Sequence, residues 1–197
     1  MASVEGFLGQ RLGEFLDAIA SDTPAPGGGS VAAVVVAMAA GLVAMASRFS
    51  TSQWEDAPDV AARAEDLRAR VAPLAPADAA AYGEVLTAMR LPKDLDPQVR
   101  NVAIGNALAR AAEVPLEIAR EASEVAALAQ LVAERGNPNL RGDAVAGALL
   151  ATAGARAAAN LVEINLATTA EDVRRTRVRE YVATAEAAAE AALAVGP

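Results

Sequence analysis

The feature that most constrains this chain is a stretch without a single charge, running from Thr23 to Ser47 between Asp22 and Arg48. It opens with Pro24 to Ser30, which reads PAPGGGS. Pro24 and Pro26 donate no main-chain N–H and restrict the residue before them, so they stop a preceding helix. Gly27, Gly28 and Gly29 then free the backbone. Ser30 is a good N-cap, and a helix is predicted from Ser30 to about Ser47. It is apolar all round, which marks a core helix. Its first N–H groups would lack helical partners and face the glycine loop, a junction suited to an anion or a polarised carbonyl. A flexible linker is the alternative for the glycines, but too little chain precedes them to form a domain. Val31 to Ala46 is about 16 residues, short of the roughly 20 that a bilayer crossing needs, which favours a buried helix.

The 197 residues suit one domain, taken as residues 1–197. Hydrophobic residues make up 54% but aromatics only 3%, so alanine carries the apolar content. Alanine favours helix and lets helices approach closely. The expectation is an all-α, single-domain bundle of long, Ala-rich helices. Small side chains bury little area each, and pairing two subunits through helix packing would recover stability. The net charge of −8 argues against nucleic-acid binding. The chain has no Cys and no His, which excludes disulfides, His-based metal sites and a Ser-His-Asp triad. Charged residues Glu5, Arg11, Glu14 and Asp17 argue against a signal peptide, and a cytoplasmic location is expected.

Ser3 to Ala20 reads as an amphipathic helix, with Phe7, Leu8, Leu12, Phe15, Leu16 and Ile19 on one stripe. In the chargeless helix, Ala37, Gly41 and Ala44 suggest a small-residue face. Trp54, the only tryptophan, suits either a subunit contact or a lid. A helix from Asp59 to about Leu91 should break or kink near Pro73 and Pro76. Asp78 and Tyr82, four apart, share a face of it. Lys93 is the only lysine among many arginines. Lysine can change protonation state when buried, so Lys93 is a candidate proton carrier, with a solvated charge as the alternative. A helix from Pro97 to about Arg135 should kink at Pro115. Its Arg100, Arg110 and Arg120 form either a basic flank or a solvated face paired with Glu113, Glu117, Glu121 and Glu124. Gly136-Asn137-Pro138-Asn139 is a turn signal before a second, nearly chargeless helix to about Asn165. Asp143 heads that helix, either as a cap or as an acid/base beside an apolar wall. Gly147, Ala151 and Gly154 form its small-residue face, and Asn160 and Asn165 should seek partners. Thr169 with Asp172 resembles a capping box before a last helix.

In order along the chain, the segments Phe15 to Ala33, Asp78 to Tyr82, Leu91 to Lys93, Arg100 through Leu116, Gly136 to Asp143 and Asn160 to Asn165 resemble the formiminotransferase-cyclodeaminase C-terminal domain family. The resemblance covers nearly the whole chain. It implies an all-helical domain that forms a homodimer. It also implies closure of 5-formiminotetrahydrofolate to 5,10-methenyltetrahydrofolate with loss of ammonia. Relatives without a fused transferase domain suggest the alternative, methenyltetrahydrofolate cyclohydrolase. Gly142 stands where the family usually has Ser, which removes any role for that hydroxyl. Ring closure requires a base for the N10 proton and an acid for the departing nitrogen. Asp143 is the leading carboxylate and Lys93 its proton or charge partner, with Asp78 and Tyr82 as alternatives. Gly27, Gly28, Gly29 and Ser30 would bind the pterin or an anionic group, and Arg100 the glutamate tail. Asn137, Asn139 and Asn165 complete the substrate-binding set. No metal, no cofactor beyond the tetrahydrofolate, no nucleic acid and no membrane are expected. A folate-binding module without turnover and a purely structural bundle are the rival readings.

One geometric limit follows from helix rise. Asp143 and Asn165 lie about 33 Å apart along a straight helix, so one chain cannot bring both to one site. If the two chargeless helices are antiparallel, the glycines lie near Asn165, and a second copy would have to supply the Asp143 end.

Overall fold

Alanine, valine and glycine at every third or fourth position decide the architecture. A computed structural model describes residues 7–169 and 171–196. The described residues form eight α-helices and no strand: α1 Leu12–Ile19, α2 Gly28–Arg48, α3 Ala57–Val71, α4 Leu74–Met89, α5 Pro97–Ala111, α6 Glu113–Arg135, α7 Arg141–Asn165 and α8 Val173–Ala194. α7 lies against α2, α6 and α8, and α2 also contacts α3. Buried Ala144, Ala148, Ala151, Ala155, Ala158 and Val162 line one stripe of α7.

The α2–α7 seam is antiparallel and closely packed. A Cβ on Gly147 would lie 3.3 Å from Val43 Cγ2, and one on Gly154 would overlap Val36 Cγ2 and sit 3.4 Å from the Ala32 carbonyl. Gly41, expected on a small-residue face, needs no such space: its nearest neighbour would be Arg68 Cδ at 3.9 Å. α2 spans 21 residues, longer than the apolar run suggested. α2 and the Pro138–Asn165 stretch are each long and apolar enough to cross a membrane, but 56% of the α2 window is buried inside the bundle. Burial, rather than shortness, supports its place as a core helix.

Several boundaries differ from the sequence expectation. The first helix is a 3-10 turn, Phe7–Gly9, followed by α1, and residues 3–6 lie outside the described residues. The Pro73 break is full, separating α3 from α4. The helix expected from Pro97 to Arg135 is divided at Ala112, three residues before Pro115. Asp172 alone caps α8, accepting from the Arg174 N–H at 3.0 Å, while Thr169 Oγ1 donates to the Leu166 carbonyl. Trp54 is half-buried: it packs against the core, and its indole N–H donates to Asp56 Oδ2 at 3.2 Å. Glu121 is fully buried rather than solvated, accepting from Arg70 at 3.0 Å and Arg120 at 2.6 Å.

Candidate active site

The head of α2 builds the site. Gly27, not Ser30, is the N-cap, and the first helical bond runs from the Val31 N–H to the Gly27 carbonyl at 3.0 Å. The N–H groups of Gly28 and Gly29 therefore have no acceptor within the helix. Ser30, three residues in, is fully buried and turns its hydroxyl across to α4. That hydroxyl lies 2.8 Å from the Ala75 carbonyl and 3.4 Å from Asp78 Oδ2.

Asp78 lies in the first turns of α4 and presses against the glycine loop. A Cβ on Gly29 would overlap the Asp78 carboxyl, with Oδ2 only 2.6 Å away. Only glycine lets the carboxylate come so close to the start of α2. Burial pushes the Asp78 carboxyl above its ordinary value, and hydrogen bonds from the Ser30 main chain and hydroxyl oppose that rise. The carboxyl opens into a cavity of about 320 Å3 whose lining includes Gly28, Tyr82, Ala111, Ile164 and Asn165. That volume falls in the range of small-ligand pockets, about 300–1,000 Å3. Asn165 closes the α7 side, its Nδ2 donating to the Ala111 carbonyl at 3.2 Å.

The structure thus joins Gly27, Gly28, Gly29, Asp78, Tyr82 and Asn165 around one pocket, with Ser30 behind it. It separates the rest. Lys93 and Arg100 line a different cleft on the α4–α5 connection, of about 220 Å3. The end of α4 at Met89 is already about 17 Å of helix beyond Asp78. Arg100 donates there to the Met89 carbonyl at 3.0 Å, capping α4. Asn137 is occupied at the opposite end of α2, donating from Nδ2 to the Phe49 carbonyl and accepting from the Asn139 N–H. Asp143 is in the first turn of α7 at that same far end, beside Gly142. Within one chain the glycine in place of the family serine therefore leaves the Asp78 pocket untouched.

The sequence profile of formiminotransferase-cyclodeaminase matches residues 11–184. The chain belongs to that family. It is 38% identical over 164 residues to a methenyltetrahydrofolate cyclohydrolase of Methylorubrum extorquens, covering 79% of each chain. It is 32% identical over 199 residues to the formimidoyltransferase-cyclodeaminase of Sus scrofa, covering 96% of this chain but 37% of that protein. It therefore spans little more than a third of that mammalian relative. The crystal structure of formiminotetrahydrofolate cyclodeaminase from Thermotoga maritima matches with a TM-score of 0.79 at 29% identity, covering 95% of this chain and 94% of the other.

Within this cyclodeaminase-type fold, the pocket offers a carboxylate with a raised pKa, main-chain donors and a phenol. Those groups suit proton transfer at a polarised carbon. Ala111, Leu161 and Ile164 are walls that residue chemistry did not single out. Their only sequence signal is position: Ala111 precedes Pro115 by four, Leu161 precedes Asn165 by four, about one helical turn, and Ile164 is its neighbour in the chain.

Proposed function

We propose that the chain is a folate one-carbon enzyme that hydrolyses 5,10-methenyltetrahydrofolate to the 10-formyl form, with Asp78 as its base. The observation that carries this reading is the desolvated Asp78 carboxyl between Gly29, Ser30 and the open pocket. A base works best when its pKa lies near the operating pH, and burial moves Asp78 in that direction. Water attacks the bridge carbon and Asp78 takes a proton from it. The carbinolamine then collapses: its hydroxyl proton leaves to solvent, the N5–carbon bond breaks, and Asp78 returns its proton to N5. The balance is methenyl cation plus water to 10-formyl product plus one proton. The Gly28 and Gly29 N–H groups, which lack helical acceptors, would hold a ligand carbonyl or anion. No cofactor beyond the folate is needed for these steps.

Support for hydrolysis comes from the Methylorubrum relative, which is matched over most of both chains. A second reading, ring closure of 5-formiminotetrahydrofolate with loss of ammonia, is favoured by the Thermotoga structure, matched over nearly all of both chains. There Asp78 would take the N10 proton. Both reactions pass through a tetrahedral carbon between N5 and N10, so one site can serve either. A spectroscopic time course of the methenyl chromophore separates them. Accelerated loss of added methenyltetrahydrofolate supports hydrolysis. A rise from the formimino substrate supports cyclodeamination, and neither change discards the enzyme reading.

The working form is proposed to be a homodimer. Exposed Leu8, Leu12 and Leu16 near the N-terminus and exposed Leu149 and Leu150 on α7 support it, since burying apolar surface stabilises association. A second copy is also the only route by which Asp143 reaches an Asp78 pocket. If the site is shared, Asp78→Asn and Asp143→Asn should each be inactive and mixing the two should restore activity; an active Asp143→Asn, or no recovery on mixing, assigns each site to one chain.

A further inference from the structure

The elbow between α5 and α6 forms part of the pocket wall, and Pro115 explains its shape. Proline has no N–H, so the Ala111 carbonyl four residues earlier loses its helical partner. α5 ends at Ala111 and α6 restarts at Glu113. Two side chains, one from the end of α7 and one from the start of α8, donate to the carbonyls at this elbow. Asn165 Nδ2 reaches Ala111 O at 3.2 Å, and Arg174 Nη1 reaches Ala109 O at 2.6 Å. Arg174 is itself clamped: Asp172 accepts from its Nε at 2.9 Å and its Nη2 at 2.6 Å, and Glu113 accepts from Nη1 at 2.5 Å. Its side chain is only 16% exposed. One guanidinium therefore ties together the end of α5, the start of α6 and the cap of α8.

Ala111 and Asn165 both line the pocket, and Arg174 does not. With Nδ2 bonded to Ala111, the Asn165 amide keeps Oδ1 as its remaining acceptor for a ligand N–H. We propose that Arg174 is a positioning residue: through the Ala109 carbonyl it fixes the elbow, and with it the Ala111–Asn165 pair that receives the ligand in the Asp78 pocket. The claim rests on the folate reading only for the substrate used to measure it.

The test compares Arg174→Met, Arg174→Lys and Glu65→Gln with the unmodified chain. Glu65 pairs with Arg48 and Arg68, away from the elbow, so it controls for loss of an ion pair alone. Steady-state kinetics with methenyl- and formiminotetrahydrofolate should show KM rising about tenfold in Arg174→Met with kcat within about twofold. Lys keeps the charge but loses the planar fork, so Arg174→Lys should recover part of the KM. Hydrogen exchange at the amides of Ala112 and Leu116, which donate to the Leu108 and Ala112 carbonyls at 3.0 and 3.2 Å, should quicken in Arg174→Met and stay unchanged in Glu65→Gln. An unchanged KM in Arg174→Met, or an equal rise in Glu65→Gln, overturns the proposal. If the unmodified chain turns over neither folate, the functional reading fails, and exchange alone decides: elbow amides as slow in Arg174→Met as in the unmodified chain also overturn it.

Discussion

The two ends of the α2–α7 pair carry similar residue types but use them differently. At the far end, Ser50 Oγ donates to the Ala46 carbonyl and accepts from the Asn137 N–H, and Asn137 bonds Phe49 and Asn139. Polar groups there are spent on joining the α6–α7 turn to the end of α2. At the near end, Asp78 has Ser30 as its partner and an open cavity in front of it. Glycine marks both ends. A Cβ on Gly136 would sit 2.8 Å from Ser50 Oγ, and one on Gly29 would displace Asp78. Close approach of a satisfied hydroxyl makes a joint. Close approach of a desolvated carboxylate beside a cavity makes a candidate catalyst.

The largest effect should come from Asp78→Asn, which should cut turnover by about 10²–10⁴-fold, read as kcat/KM on either folate. The same variant should not lose stability. Burial raises Asp78 in the folded state, so the folded chain binds more protons than the unfolded one above the ordinary carboxyl value. Stability therefore falls as pH rises through the raised value, and a neutral amide removes that loss. A Tm at pH 7 clearly below that of the unmodified chain would break the contrast between a catalytic and a structural end. Next, Gly29→Ala should lower kcat/KM about a hundredfold by moving the carboxylate, whereas Gly136→Ala should lower Tm and spare kcat/KM. Equal kinetic losses in both would erase the distinction between the ends.

The acid limb of kcat should follow Asp78, with activity falling as pH drops through its raised pKa; residual activity of Asp78→Asn should lack that limb. In the seam joining the two ends, Gly154→Ala should cost about 1–3 kcal/mol through its clash with Val36, measured by denaturant unfolding. The smallest effect concerns Asp172. Its carboxyl is held down to about 2, chiefly by the Arg174 side chain and next by the Arg174 N–H. A depressed carboxyl stabilises the fold above its unfolded value and loses that contribution as pH falls toward 2. Asp172→Asn should thus lower Tm by about 2–4 °C at pH 7, with the gap narrowing in acid.

Much of the fold was legible because its signals are local. The chargeless runs, the small-residue spacing of Gly147, Ala151 and Gly154, and the breaks near Pro73 and Pro115 all act within a few residues. The antiparallel option, with the glycine loop near Asn165, was also open to simple helix arithmetic. Placement of the polar residues was not. Asp78 and Asp143 are both carboxylates near helix starts, and spacing does not rank them. What separates them is that α4 folds back onto the head of α2, bringing Asp78 to Gly29 and Ser30 across more than forty positions of sequence. The assignment of Ser30 as a cap failed for the same reason: its hydroxyl prefers a partner on α4 that no local pattern reveals.

Sequence alone determined a helical chain with two apolar core helices, a special loop before the first, no imidazole or thiol chemistry, and membership of a recognisable family. Only the tertiary structure decided that the Asp78 carboxyl is desolvated beside a cavity, that Lys93, Arg100 and Asn137 lie away from it, and that Arg174 braces the pocket wall. The physical reason is range. Helix formation and termination depend on neighbours a turn away, whereas desolvation and hydrogen-bond pairing depend on which distant elements the core packs together.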